Sequence, residues 1–309
     1  MTSILITGVN GFIGDRYASS VRQKGWHVVG LDLQPADLHG HCDEYHSVDL
    51  GASEASAFFD TLPGVDLVLH AGGVSGFMVA TDRPHHIVDV NIRGTMPVLH
   101  FAYQRQIRRT VLCSTMMVYG ADAQPGLRHS EEEYPAPISV YGASKVAIEA
   151  LMHGYNHQYG IDAIAVRPGH VYGPGRTTQC FVREMLKAVR TGTRCEIPQS
   201  GKSWRQYVHV DDICDALDRA FSVVSPVTRT FNITAGEIHT LDEVAAIINR
   251  NIGKLDVVFD SSIDLPNYRV GELSIERARD TLGFVPSRKL VTGLRSYWDE
   301  TFAAEARKR

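Results

Sequence analysis

Residues 4–14 read Ile4-Leu5-Ile6-Thr7-Gly8-Val9-Asn10-Gly11-Phe12-Ile13-Gly14, and this stretch decides the fold. The apolar run Ile4–Ile6 has the character of a strand buried on both faces. Three glycines follow, and then Phe12, Ile13, Tyr17 and Val21 recur at helical spacing. A strand passing through glycines into a helix lets backbone N–H groups and a helix N-terminus approach a pyrophosphate. The spacing is G-x-x-G-x-x-G, not the G-x-G-x-x-G of the standard dinucleotide fingerprint. A glycine turn that merely packs strand on helix is therefore the alternative.

Outward from this stretch the same rhythm continues. Val28–Leu31, Leu67–Leu69, Val111–Cys113, Ala163–Val166 and Phe231–Ile233 read as further strands, nearly continuous in apolar character. Between them Ile87, Val90, Gly94, Val98 and Phe101, then Val146, Ala150, Leu151 and Tyr155, recur at helical spacing. The alternation predicts an α/β fold with a doubly wound parallel sheet, Rossmann-like, over residues 1–169. After Pro168, Pro and Gly punctuate shorter elements, so residues 170–309 are expected to form mainly a smaller C-terminal substrate lobe. A segment near 229–235 returns to complete the sheet.

Asp32 ends the second strand, 18 residues after Gly14. An acid there accepts from both adenosine ribose hydroxyls and repels a 2′-phosphate, and no Arg or Lys follows in Leu33-Gln34-Pro35. The expected cofactor is NAD rather than NADP, with an ordinary surface acid as the alternative.

Tyr141-Gly-Ala-Ser-Lys145 supplies candidate chemistry. Four residues apart on a helix, Tyr141 and Lys145 share one face. A free tyrosine, with a pKa of about 10, is a poor base. A nearby ammonium and an oxidised nicotinamide would favour its phenolate. Such a pair downstream of a dinucleotide seat points to hydride and proton transfer at a carbinol carbon, although Y-x-x-x-K alone is common by chance.

At this point the chain resembles the extended short-chain dehydrogenase/reductases, the NAD-dependent epimerase/dehydratase group, over nearly its whole length. The matching pieces are Thr7–Gly14, Asp32, Asp49-Leu50, His70–Gly73, Asn91–Thr95, Ser114–Gly120, Tyr141–Lys145, Arg167–Pro174 and Arg205–Asp212, in the family's order. The resemblance implies Tyr141 as general acid/base. It implies Lys145 as the residue that holds the nicotinamide ribose and depresses the tyrosine, and Thr115 as a hydroxyl on the reacting oxygen. It further implies cofactor contacts from Gly8, Gly11, Phe12, Ile13, Gly14, Asp32, Asp49, Leu50, Ala71, Gly72, Gly73, Asn91 and Pro168, besides Tyr141 and Lys145. Ser75, Thr115, His170 and Arg205 are the candidate substrate contacts. A strand-end hydroxyl bonding local backbone is the alternative for Thr115.

Departures narrow the chemistry. The family's sugar 4,6-dehydratases carry Asp-Glu after the threonine, where this chain has Met116-Met117, which cannot move protons. His170 stands where nucleotide-sugar enzymes usually have Asn, and Gln199–Trp204 replaces their Gly-Asp-Gly approach. The segment Asn267-Tyr268-Arg269-Val270-Gly271 lacks their Arg-Pro-Gly-Asp pattern. These changes favour a smaller hydroxylated substrate, a free sugar or sugar acid, that Arg205 could clamp. Arg205 as a salt-bridge partner of Asp211 or Asp212 is the alternative.

Composition excludes other classes. The 309 residues carry a net charge of -4 and no dense basic stripe, so nucleic acid is not an expected partner, and Arg307–Arg309 reads as a solvated helix end. No apolar run approaches membrane-spanning length, and no leader precedes the first strand, so a cytoplasmic protein is expected. Five scattered cysteines without C-x-x-C argue against disulfides or a zinc cage. His39, His41 and His46 beside Cys42 read as a solvated polar loop, with no metal expected. Helices around 85–105 and 141–158 carry apolar residues on more than one face, and the family commonly pairs such helices, so a homodimer is expected. The leading expectation is an NAD-dependent dehydrogenase of a sugar-type secondary alcohol. The alternative is an NAD-dependent (nucleotide-)sugar epimerase using the same Thr, Tyr and Lys. A non-catalytic dinucleotide sensor is the remote third.

Overall fold

In a computed structural model, which describes residues 1–76, 80, 82–120, 128–260 and 270–303, the strands follow the expected rhythm. In chain order they are Ser3–Thr7 (β1), His27–Asp32 (β2), Glu44–Ser47 (β3), Leu67–His70 (β4), Arg109–Cys113 (β5), Arg128–His129 (β6) and Ala163–Pro168 (β7). His170–Tyr172 (β8), Cys195–Ile197 (β9), Trp204–His209 (β10), Thr230–Ile233 (β11), Ile238–Thr240 (β12), Val257–Phe259 (β13) and Glu272–Leu273 (β14) follow. The helices are Phe12–Gln23 (α1), Ala55–Thr61 (α2), Pro84–Val88 (α3), Thr95–Gln104 (α4) and Val140–Tyr159 (α5). Phe181–Thr191 (α6), Val210–Ser222 (α7), Leu241–Asn251 (α8) and Leu290–Tyr297 (α9) complete them.

Seven strands form one parallel sheet in the order β11-β7-β5-β4-β1-β2-β3. Successive side chains leave a strand on opposite faces, which is why its apolar runs are unbroken. Ile4 and Ile6 pack with Tyr17, Val21, Ile213 and Leu217 from α1 and α7. Leu5, between them, packs on the other face with Val98, Phe101, Ile148 and Met152 from α4 and α5. Each such fully buried side chain contributes roughly 1.5–3 kcal/mol.

The chain leaves β1 for β2 and β3 and then crosses back to β4 on the other side of β1. That reversal is the switch point where open α/β sheets bind ligands. Thr230–Ile233 returns to pair in parallel beside β7 at the edge of the sheet. Beyond Pro168, β10 pairs with β8 on one side and β12 on the other in a separate three-stranded sheet. Met185, Leu186, Tyr207, Leu241, Val244 and Leu294 form a core there.

Two local features differ from the sequence reading. Glu44–Ser47, read as part of a polar loop, is the edge strand of the main sheet, and His46 packs against Phe58. A short edge strand with one wet face carries too little apolar pattern to announce itself. The helical stretch that begins at Pro84 is interrupted by a π-turn at Asp89–Arg93, which turns Asn91 inward. The segment 267–269 and the tail 307–309 lie outside the described residues.

Candidate active site

The floor of the site is backbone. Gly8 has φ +69°, and a Cβ there would lie 2.6 Å from the Gly72 Cα. A Cβ on Gly14 would run into the Gly8 carbonyl oxygen. The β1 turn, the start of α1 and the Ala71–Gly73 strand end therefore close on one another only as glycine. Gly11 caps α1 without a side-chain bond, which leaves first-turn N–H groups for an external anion. Asp32 stands at the end of β2 and accepts from the backbone N–H of Asn10 at 3.1 Å and of Gln34 at 3.2 Å. These residues fit the pyrophosphate and adenosine of a dinucleotide.

One cavity of about 530 Å³ runs from this cradle to the smaller lobe. Gly8, Gly11–Gly14, Asp32, Asp49, Leu50, Ala71, Gly72, Gly73, Ser75, Thr115, Tyr141, Lys145, Pro168, His170 and Arg205 all line it. Asn91 does not. Its amide is spent behind the wall, accepting from Val74 N at 2.8 Å and donating to Val74 O at 3.0 Å and to Ser144 Oγ at 2.9 Å. Asn91 thus fixes the loop after Gly73 to α5.

Thr115, Tyr141 and Lys145, the candidate reacting groups, line the same cavity. Ser139 caps α5 by accepting from Gly142 N at 3.0 Å, which sets Tyr141 in the first turn and Lys145 one turn on. The Thr115 side chain and the backbone of Gly76 both act to lower the Tyr141 phenol's pKa. Thr115 accepts from Met117 N at 3.2 Å, a local capping bond, while it also lines the cavity. Lys145 Nζ donates to the Cys113 carbonyl at 2.9 Å.

Burial raises the Tyr141 phenol above its ordinary value, against the opposing pull of Thr115, Gly76 and the Arg176 charge. It lowers the Lys145 ammonium, while Cys113 and Glu149 pull the other way. The depression of Tyr141 expected from Lys145 is therefore not produced by these residues alone: desolvation outweighs the donors.

At the end lined by Arg176 and Arg205, burial and then the charges of these two arginines hold His170 well below its ordinary value, so it is a neutral imidazole. Its ring packs edge-on against Tyr207, 5.4 Å between centroids. Arg205 donates to Gln199 Oε1 at 2.6 Å, whereas Asp211 pairs with Arg16 and Asp212 with Arg288. Arg205 thus faces the cavity rather than the acids considered for it. Met116 and Met117 also line the cavity and pack with Tyr141.

Arg176 is the residue that sequence reading missed. It donates to the Val171 carbonyl and to Thr178 Oγ1, lines the cavity, and lies 6.0 Å over the Phe12 ring. A lone cation in the Gly- and Pro-rich loop after Arg167-Pro168 was the available signal. Among the described residues no cluster of His, Cys, Asp or Glu is placed to hold a metal, and His41 is instead 2.7 Å from Asp15.

The sequence model of the NAD-dependent epimerase/dehydratase family matches residues 4–234. The chain belongs to that family. The UDP-glucuronate 4-epimerase of Thermodesulfobacterium geofontis is 25% identical over 94% of this chain and 93% of its own. The UDP-glucose 4-epimerase of Mycolicibacterium smegmatis is 29% identical over 94% and 95%. Among solved structures, MoeE5 in complex with UDP-glucuronic acid and NAD superposes with a TM-score of 0.86. It is 26% identical, over 98% of this chain and 99% of that one. As a member of the family the chain is an NAD-dependent enzyme of the extended short-chain dehydrogenase/reductase type, built on the Rossmann-like sheet described above. No helix of the described residues is long and apolar enough to cross a membrane.

Proposed function

We propose that this enzyme interconverts epimers of a nucleotide-linked sugar at a secondary carbinol, through a transient ketone, with NAD retained between turnovers. One observation carries the reading: Thr115, Tyr141 and Lys145 line one cavity together with the glycine cradle, Arg176 and Arg205. Relatives named as UDP-sugar 4-epimerases, aligned over nine-tenths of both chains, support it over the dehydrogenase expectation.

In this reading Gly8, Gly11–Gly14 and Ala71–Gly73 hold the pyrophosphate, Asp32 the adenosine ribose, and Asp49 and Leu50 the adenine. Tyr141, Lys145 and Pro168 meet the nicotinamide half, and Asn91 acts through Val74. When bound, NAD supplies the hydride acceptor and donor and a positive ring charge. Thr115 donates to the reacting oxygen. Tyr141 takes the hydroxyl proton on oxidation and returns it on reduction. Residues 1–169 with 229–235 form the cofactor unit and 170–309 mainly the substrate lobe. Arg205, His170 and Ser75 orient the substrate.

The second reading, a dehydrogenase of a free sugar acid, has its own observation. A neutral His170 lines the site where nucleotide-sugar enzymes usually carry Asn. Stereochemistry and cofactor balance separate the two. Proton NMR of UDP-glucose or UDP-glucuronic acid incubated with enzyme and NAD should show the 4-epimer growing with no accumulation of NADH. Sustained NADH from aldonic or uronic acids, dependent on Tyr141, would reverse the order.

A homodimer through α3, α4 and α5 is part of the proposal. Val88, Met96, Tyr103, Val140 and Tyr159 stand exposed on these helices. Sedimentation should give twice the chain mass, and a charge at Met96 or Tyr103 should yield the monomer.

A further inference from the structure

Directly behind the reaction centre lies a buried ion pair that none of the chemistry above uses. Glu149 and Arg167 are each 4% exposed. Arg167 grips Glu149 with two parallel bonds, Nε to Oε1 at 2.9 Å and Nη2 to Oε2 at 2.6 Å. Its third nitrogen donates to the Tyr119 hydroxyl at 2.7 Å, which passes a bond to Asn232 Oδ1 at 2.9 Å. Ser114 Oγ donates to Glu149 Oε1.

The partners sit on the elements that carry the reacting groups. Ser114 follows β5 and precedes Thr115, and Arg167 is the residue before Pro168 on β7. Tyr141, Lys145 and Glu149 are spaced by four on α5 and share one face. A buried pair of this kind adds little or nothing to stability over an apolar replacement, so stability alone does not account for it. Neither charge lines the cavity, so it does not touch substrate either.

We propose that Glu149 is a positioning residue. Locked by Arg167 and Ser114, its carboxylate holds the end of β5, helix α5 and the end of β7 in one register, and so places Thr115 and the Lys145 ammonium against Tyr141. The groups facing Lys145 are Cys113 and His70 from the sheet and Glu149 from its own helix. Burial pushes the Cys113 thiol up to about 11 and the His70 imidazole down to about 3, so both are neutral near pH 7. Glu149 is then the nearby negative charge that Lys145 feels, and it opposes the effect of burial. Removing Glu149 alone uncovers the Arg167 guanidinium behind the same helix.

The inference rests on Tyr141 and Lys145 as the acid/base pair, but its test needs no substrate. In NAD-free protein, the rate of Lys145 carbamylation by cyanate is followed against pH by peptide mass spectrometry. The midpoint should fall by about one pH unit in Glu149→Gln, through loss of a negative neighbour and exposure of a positive one. It should fall by roughly half as much in Glu149→Gln/Arg167→Gln, where both charges go. If the single variant does not fold, the neutral double variant decides alone. An unchanged midpoint in whichever variants fold would overturn the proposal, since a purely structural role would not move Lys145. Failure to find any epimerised sugar would instead count against the proposed function and leave this titration standing.

Discussion

At the glycine end of the cavity the wall is backbone from residues 8–14 and 71–73. At the arginine end it is side chains from Ser75, Met116, Met117, His170, Arg176, Gln179 and Arg205. Backbone walls are written as short runs of one residue type in one place. Side-chain walls are assembled from scattered stretches, and each member can change without disturbing the others. On the proposed reading the first end takes the cofactor and the second takes the substrate.

The separation can be broken by experiment, beginning with the largest effect. Tyr141→Phe should lower kcat by about a thousandfold, within the 10²–10⁴ range of general acid–base catalysis. The Kd for NAD should rise by no more than about tenfold, because a single hydroxyl is lost from the nicotinamide half. Loss of NAD binding in this variant, read by calorimetry, would mean that the two ends are not independent.

Gly14→Ala should weaken NAD about ten- to hundredfold, as expected for overpacking against the Gly8 carbonyl. His170→Asn should leave NAD untouched and change only substrate KM. Equal effects on both ligands would erase the distinction. Asp32→Asn should cost about tenfold in NAD affinity and narrow the preference over NADP, since it removes a charged acceptor and a repulsion.

The smallest expected effect sharpens the contrast through pH. His70, bonded to Thr7 and Thr95 beneath the cradle, is pushed down to about 3 by burial and the Lys145 charge. His209, on the last residue of β10, is pushed down to about 4, mainly by burial. Both ordinary values are 6.5, so on acidification the unfolded chain takes up these protons first. Their stabilising contribution is complete above pH 6.5 and is lost as pH falls toward the folded values. Each loss is at most about 1.4 kcal/mol per pH unit. Tm measured from pH 7 down to 4.5 should fall, and His209→Gln should flatten that slope relative to its own neutral-pH Tm. An equally steep fall in the variant would remove His209 from this account.

Legibility followed the same division. Gly8–Gly14, Asp32 and the Tyr141–Lys145 spacing are local patterns tied to backbone geometry, and the structure brings them to one cavity. The parallel direction of the sheet was legible because strands buried on both faces are continuous apolar runs, whereas the order of its strands was not. Other features depend on contacts between residues far apart in the chain. Arg176 meets Phe12 across the cleft, Asn91 bonds Val74 and Ser144, and Glu149 on α5 pairs with Arg167 on β7. No spacing rule encodes such pairs. The edge strand Glu44–Ser47 was hidden for the opposite reason, since its polar alternation resembles a loop.

The most direct test follows the hydrogen itself. A UDP-sugar deuterated at the reacting carbon is converted by the enzyme with NAD, and the 4-epimer is examined by NMR and mass spectrometry. The account predicts that the deuterium stays on that carbon, returned from bound cofactor, with none gained from or lost to water. Deuterium released on free NADH, or exchanged with solvent, would contradict it.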